Sequence, residues 1–364
     1  MRVLFLQRQP CIRALKYAVA LRGARPGVRL GFACQGATLS GWYGEGDELF
    51  DAWWRLGSRP AGDLAAVLDE FAPDVVHSHN LPDELTVVAL DVADGCVPVV
   101  HDVHDLQSLR HTAYEDGFAE PADTAALERR AVEDSAALVT VSEEMRRQVR
   151  ARHRVPARGC DFPNYALARD LPAVLPPPRP PRDGRLRMVY QGTLSTNGGH
   201  YDLRDIFTAI VAQGVSLDVH PSRPAPAYEE LADRTPGLRC HRPLPPARLL
   251  AALASYDLGW AGFNATLNAA HLDTALPNKV FEYLGSGLPV VVLRHRALER
   301  LVDEHGVGIV LSRVEHLAAR LHEADLPALR ARVAEARAGF TVEANIGRIL
   351  DLYDSVAPAA GARP

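Results

Sequence analysis

Short apolar runs of strand length alternate with stretches whose apolar residues fall three and four apart, and the alternation occurs twice along the chain. In the first half the runs are RVLFL (2–6), VRLGFAC (28–34), DVVHSH (74–79), VPVVHDV (97–103) and ALVTVS (137–142). Between them, AGDLAAVLDEFA (61–72) and DTAALERRAVEDSA (123–136) carry helical spacing. A helix between two strands returns the chain to the same end of the sheet, so the strands it joins run parallel. The second half repeats the plan with LRMVYQG (186–192), VSLDVH (215–220), LRCHRP (238–243), YDLGWAGF (256–263), PVVVL (289–293) and GIVL (308–311). LARDLPAVLPPPRPPRDGR (167–185) separates the halves, and its prolines can continue neither a helix nor a central strand.

The predicted fold class is therefore α/β, with two Rossmann-like parallel-sheet domains facing across a cleft. The expected divisions are an N-terminal domain over 1–166, the proline-rich linker over 167–185 and a second domain over 186–340. A helix over 341–357 should cross back to the first domain, and a disordered tail should cover 358–364. A length of 364 residues with 47% apolar composition suits two cores better than one. In parallel sheets of this kind ligands bind outside the carboxyl ends of the strands, so function should sit where strands end or helices begin.

Several partner classes are excluded on composition. The formal charge of -5, with acids and bases mixed along the chain, favours neither nucleic acid nor an anionic surface. Cys11, Cys34, Cys96, Cys160 and Cys240 are scattered and form no C-x-x-C pair, which argues for a reduced, cytoplasmic setting. No stretch approaches the ~20 apolar residues of a membrane span, so no integral membrane association is expected. Lys16 and Lys279 are the only lysines among 40 basic residues.

Lys279 lies in LPNKVFEYLGSGLPVVV (276–292). Thr274 can cap a helix that holds Pro277 in its first turn, and Gly285 or Gly287 can end it before the valine strand. Val280, Phe281 and Leu284 share the inward face by spacing, while Asn278, Lys279 and Glu282 fall elsewhere. Leading backbone N–H groups, the positive end of the helix dipole and an ammonium then coincide, which suits a phosphate or diphosphate. Glu282, one turn on, is placed to accept from a ribose diol. The competing reading is an ordinary Lys279–Glu282 surface ion pair worth about 0.2–0.5 kcal/mol.

The segment resembles the nucleotide-sugar signature of GT-B glycosyltransferases, specifically the retaining family 4. PDVVHSHN (73–80), VPVVHDVHD (97–105), ALVTVSEEM (137–145), DFPNYA (161–166), MVYQGTL (188–194) and YDLGWAGF (256–263) resemble that family's landmarks in the same order. The resemblance implies that Glu282 holds the nucleotide ribose, that Pro277, Asn278, Lys279 and Val280 hold the diphosphate, and that His101 contacts the donor sugar. Gly192 and Thr193 match the glycine-plus-basic position that opens the second domain. Three positions depart from the family. Thr274 stands where the first glutamate of E-x7-E belongs, with Asp273 or His271 as the nearest substitutes. Thr193 and Gly198 replace the phosphate-binding Arg/Lys pair, which leaves Lys279 as the compensating cation. The loop QRQPCIRAL lacks the glycine pair common after the first strand.

What the resemblance implies is an enzyme that transfers a hexosyl or N-acetylhexosaminyl group, with retention, from a nucleotide diphosphate-sugar, UDP-sugar being favoured, to a small soluble acceptor such as a secondary metabolite. His101 and Lys279 are the expected catalytic residues. The departing phosphate oxygen takes the acceptor's proton in that family, so no protein nucleophile, cofactor or metal is required. His77, His79 and Asn80 are expected to line the acceptor side. His77, His79, His101 and His104, beside Asp102 and Asp105, also form strings that can ligate zinc or iron, a reading set below that of a polar pocket. GWYGEGDELFDAWWRL (41–56) places three tryptophans in a loop and a following helix, as packing or as an aromatic wall. Ser142 and Asn164 are expected to serve structure. Alternative functions are a polysaccharide or glycolipid glycosyltransferase, a nucleotide-sugar 2-epimerase, and a non-catalytic nucleotide-sugar-binding protein. The absence of G-x-G-x-x-G after the first strand argues against a nicotinamide dehydrogenase.

Overall fold

A computed structural model describes residues 1–36, 47–80, 83–111, 122–176 and 184–357. The expected tail over 358–364, Trp42 and the middle of the proline-rich segment lie outside the described residues. The chain divides into two compact units, Met1–Pro163 with Val342–Pro364, and Asn164–Thr341.

In the first unit, β1 (Arg2–Gln7), β2 (Arg29–Cys34), β3 (Ala52–Arg55), β4 (Val75–His79), β5 (Val99–Val103), β6 (Ala137–Thr140) and β7 (Gly159–Asp161) form one sheet. Their order is β3-β2-β1-β4-β5-β6-β7, parallel throughout. Every residue of β4 and β5 is buried, the polar His77, Ser78, His79, His101 and Asp102 included, as central strands covered on both faces must be. Two of the seven strands, β3 and β7, escape the periodicity, because short edge strands carry too few residues to show it. Residues 52–55 are thus a strand and not the expected helix. Trp53 stacks on Phe32 at 4.6 Å, and Trp54 meets Phe71 edge-on at 5.5 Å. Both are packing residues of this unit. The terminal helix Gly347–Val356 also belongs to the first unit, where Tyr353 is fully buried with its hydroxyl at His77 Nδ1.

The second unit holds β8 (Arg187–Gly192), β9 (Ser216–Pro221), β10 (Leu238–Cys240), β11 (Leu258–Trp260), β12 (Val290–Leu293) and β13 (Gly308–Leu311). Their order is β10-β9-β8-β11-β12-β13, again parallel. The start of the proline-rich segment packs into this unit. Asn164 Nδ2 donates to Leu276 O at 2.8 Å, Ala166 bridges Thr341, and Leu171 lies against Gly285. In each sheet the order reverses once, between β1 and β4 and between β8 and β11. Such a reversal sends the flanking crossovers to opposite faces and leaves a crevice at the strands' carboxyl ends.

One close approach sets the geometry at the second crevice. A Cβ at Gly259 in β11 would stand 2.4 Å from the Tyr283 ring. Tyr283 in turn accepts from the Gln191 amide at 2.8 Å and is fully buried. We expect Gly259→Ala to lose about 1–3 kcal/mol by forced overpacking, read by urea unfolding; an unchanged midpoint would show that the helix bearing Tyr283 can retreat without cost.

Candidate functional site

The helix Asn278–Gly285 begins at the crevice of the second unit. Its cap position is Pro277, with no side-chain cap, so Thr274 does not take the role its side chain suggests. Thr274 is fully buried and turns its hydroxyl onto His271 O at 2.7 Å. The Val280 amide is bonded to Pro277 O at 3.1 Å. Helical spacing put Lys279 off the inward face, but the helix is wrapped almost all round. Lys279 is 7% exposed, beside Val280, Phe281, Tyr283 and Leu284 at 0%.

Lys279 Nζ lies 4.0 Å from the centre of the Tyr190 ring, 5.6 Å from Phe263 and 5.8 Å from Tyr201. A Cβ at Gly192, whose φ is 126°, would come within 3.3 Å of Nζ, so glycine there meets both a backbone and a space requirement. Nζ has no hydrogen-bond partner among the described residues. Burial, offset only in part by Glu282, pulls its pKa down to about 7. The direction follows from magnitudes: removing an ammonium from water costs several kcal/mol, whereas ring faces return about 2 kcal/mol. The surface ion pair with Glu282 is not formed; the Glu282 carboxylate accepts instead from Gln191 Nε2, at the end of β8. Gln191 is a participant that spacing could not reveal.

Around this centre, Thr193 O accepts from the Tyr190 hydroxyl at 2.6 Å. Asn268 Nδ2 lies 3.2 Å from His200 Nδ1, both side chains buried. Asp273, a candidate for the missing glutamate, is tied to the start of the next helix, where it lies 3.3 Å from both the amide and Nε of Arg296. His271 is 4% exposed.

In the first unit the sequence-derived residues lie deeper than strand ends imply. His77 and His101 are interior to β4 and β5 and 0% exposed, while His79 and Asn80 are 1% exposed. Strand alternation separates neighbours: His101 and Asp102 point to opposite faces. His101 Nδ1 lies 3.1 Å from the Thr86 hydroxyl, and Nε2 lies 3.1 Å from Asp83 Oδ1, close enough for charge attraction but misaligned for a hydrogen bond. His101 therefore does not sit at the end of its strand. The histidine that does is His104, half-buried just past β5, with Nε2 lacking a hydrogen-bond partner among the described residues. Its amide is held by Asn80 Oδ1 at 3.1 Å, and Asn80 Nδ2 donates to Asp105 O, so Asn80 shapes the loop. Counting residues past the strand's last valine would have found His104.

On the other face, Asp102 accepts from Arg13 Nε at 3.0 Å and from the Tyr17 hydroxyl at 2.9 Å, and lies 3.2 Å from His77 Nε2. Burial opposes the Asp102 charge, yet Arg13 with the His77 hydrogen bond holds the carboxyl well below its usual range. Burial likewise holds His77, His79 and His104 below the ordinary imidazole value. The ligand atoms of His77, His79 and Asp102 lie within 4.8 Å of one another, a spacing that could hold a metal. Arg13 already balances the Asp102 charge, so a divalent cation there would sit beside a guanidinium. Removing Asp102 strands Arg13 in the interior, and Asp102→Ala should cost about 3–5 kcal/mol. A depressed native pKa makes that contribution complete above about pH 4 and lost as pH falls towards the lowered native value. Urea unfolding across that range should show the wild-type advantage over Asp102→Asn shrinking in acid.

Residues 12–164 match the glycosyl transferase 4-like domain family, and residues 226–339 match the glucosyltransferase 3-like C-terminal domain family. No curated protein sequence matches the chain. Among solved structures, a sucrose-phosphate synthase from Thermosynechococcus elongatus is 12% identical with a TM-score of 0.71, covering 98% of this chain and 99% of its own. Anabaena HepE in complex with UDP-glucose is 16% identical with a TM-score of 0.65, over 96% of this chain and 99% of its own. WaaG, a glycosyltransferase involved in lipopolysaccharide biosynthesis, is 14% identical with a TM-score of 0.63, over 98% and 100%. At these identities the likeness is one of fold.

Proposed function

We propose, from the premise that this chain is a GT-B glycosyltransferase of the family 4-like kind, that its second unit binds a nucleotide diphosphate-sugar at the crevice between β8 and β11. The observation that carries this reading is Lys279, a buried amine with no hydrogen-bond partner among the described residues, set against Gly192 in the first turn of its helix. Cationic and amide donors aimed at one point stabilise the charge that develops on a leaving diphosphate. Glu282, oriented by Gln191, takes the ribose. The UDP-glucose bound by HepE, which shares the fold, favours uridine diphosphate as the nucleotide.

Transfer proceeds with retention and without a metal, the departing phosphate oxygen taking the acceptor's proton. The sugar contact expected of His101 is assigned to His104, because His101 is enclosed by Thr86 and Asp83 whereas His104 reaches the strand's end. Asp273 is a structural tie to Arg296 and is removed from the donor contacts. The acceptor is a small soluble molecule, and His77, His79 and Asn80 support that side from beneath.

Uridine diphosphate should raise the melting temperature of the wild-type protein and leave Lys279→Ala unshifted, since ligand stabilises only the state that binds it. Lys279→Ala should also cut turnover by about 100-fold or more, the scale for loss of one charge-stabilising donor. His104→Ala should slow transfer while His101→Ala chiefly lowers stability. Near-normal turnover in Lys279→Ala would remove the site from the reaction; product of inverted configuration would remove retention.

A further inference from the structure

We propose that the crevice of the second unit takes up one proton from solvent with each diphosphate it binds, Lys279 gaining its charge as the ligand arrives. This rests on the reading of Lys279 as the diphosphate's countercharge and adds how that charge is supplied.

The enclosure of Nζ is the first ground. Tyr190 faces it from β8, Tyr201 from the segment after β8, and Phe263 from the segment after β11, while Gly192, lacking a side chain, leaves space beside Nζ that a Cβ would narrow to 3.3 Å. The Tyr190 hydroxyl is committed to Thr193 O, and the Tyr283 hydroxyl, from Lys279's own helix, accepts from the Gln191 amide. Glu282, also on that helix, is the acidic group whose charge bears on the amine, and its carboxylate accepts from Gln191. No ion pair to Nζ exists among the described residues, so an ammonium in the empty crevice would be desolvated and unpaired. Its lowered pKa, about 7, agrees with that enclosure.

The choice of residue is the second ground. The chain has 40 basic residues, and only Lys16 and Lys279 are lysine. Both are buried, at 5% and 7% exposure. Arginine cannot discharge in a protein, whereas a buried lysine can. An amine that is neutral when the crevice is empty and protonated when it is full supplies the same countercharge without burying it in the resting protein. The balance is simple: the amine, a proton from buffer and the diphosphate become an ammonium–diphosphate pair, and product release returns the proton.

Titration calorimetry with uridine diphosphate at about pH 8, one unit above the amine's value, in two buffers of different ionisation enthalpy, reads the proton directly. Wild-type protein should take up close to one proton per nucleotide, and its affinity should fall about tenfold for each further pH unit. Lys279→Arg should bind without uptake and without that pH dependence. Binding with no proton uptake by the wild type overturns the inference and leaves the donor site standing. No binding of uridine, guanosine, adenosine or thymidine diphosphate overturns the donor site itself. A second readout needs no ligand. Because the unfolded chain holds the Lys279 proton up to about pH 10.4, wild-type stability should rise with pH between about 7 and 10. Lys279→Met should therefore be more stable than wild type near pH 7, with the gap closing as pH rises; a gap that is absent or constant would overturn the amine's assignment.

Discussion

Tyr283 can lie against β11 only because Gly259 has no side chain. That contact lowers the helix Asn278–Gly285 onto the sheet, brings the Tyr283 hydroxyl to the Gln191 amide, and drives Lys279 beneath the rings of Tyr190, Tyr201 and Phe263. The chemistry of the second unit follows from this depth. A lysine one turn nearer solvent would be an ordinary ammonium, paired with Glu282 and worth a few tenths of a kcal/mol.

The two crevices manage charge in opposite ways. In the first unit a carboxylate is buried with its partners already in place, since Arg13, Tyr17 and His77 all converge on Asp102. Tyr353, on the last helix of the chain, closes the same network through His77. These bonds gather on Asp102 Oδ2, while Oδ1 and both ring nitrogens of His79 have no hydrogen-bond partner among the described residues, and burial lowers the pKa of His77 and His79. In the second unit a basic group is buried with no hydrogen-bond partner among the described residues, which is costly unless an opposite charge is supplied. The two groups differ in countercharge, which Arg13 supplies to Asp102 in the first unit and which no described residue supplies to Lys279 by contact in the second.

This distinction explains which residues were legible. The signature LPNKVFEYLGSGLPVVV pointed to Lys279 and Glu282 because a helix start after a strand exposes donors wherever it occurs. It could not show that Gln191, 91 residues earlier, orients Glu282, since that pairing depends on β8 lying beside β11. The depth of the histidines was hidden for a related reason. In VPVVHDVHD the strand's end sets which histidine emerges, and a shift of three residues exchanges buried His101 for His104. Asp273 stood next to the vacant glutamate position in sequence, yet Arg296 holds it.

From the sequence alone came the class of fold, the two parallel sheets and the helix that follows Pro277, because alternating apolar runs and proline positions act through local geometry. Tertiary structure decided which of those residues carry charge into the interior and which meet a countercharge there. Desolvation and countercharge are properties of surroundings assembled from distant strands, and no local pattern encodes them.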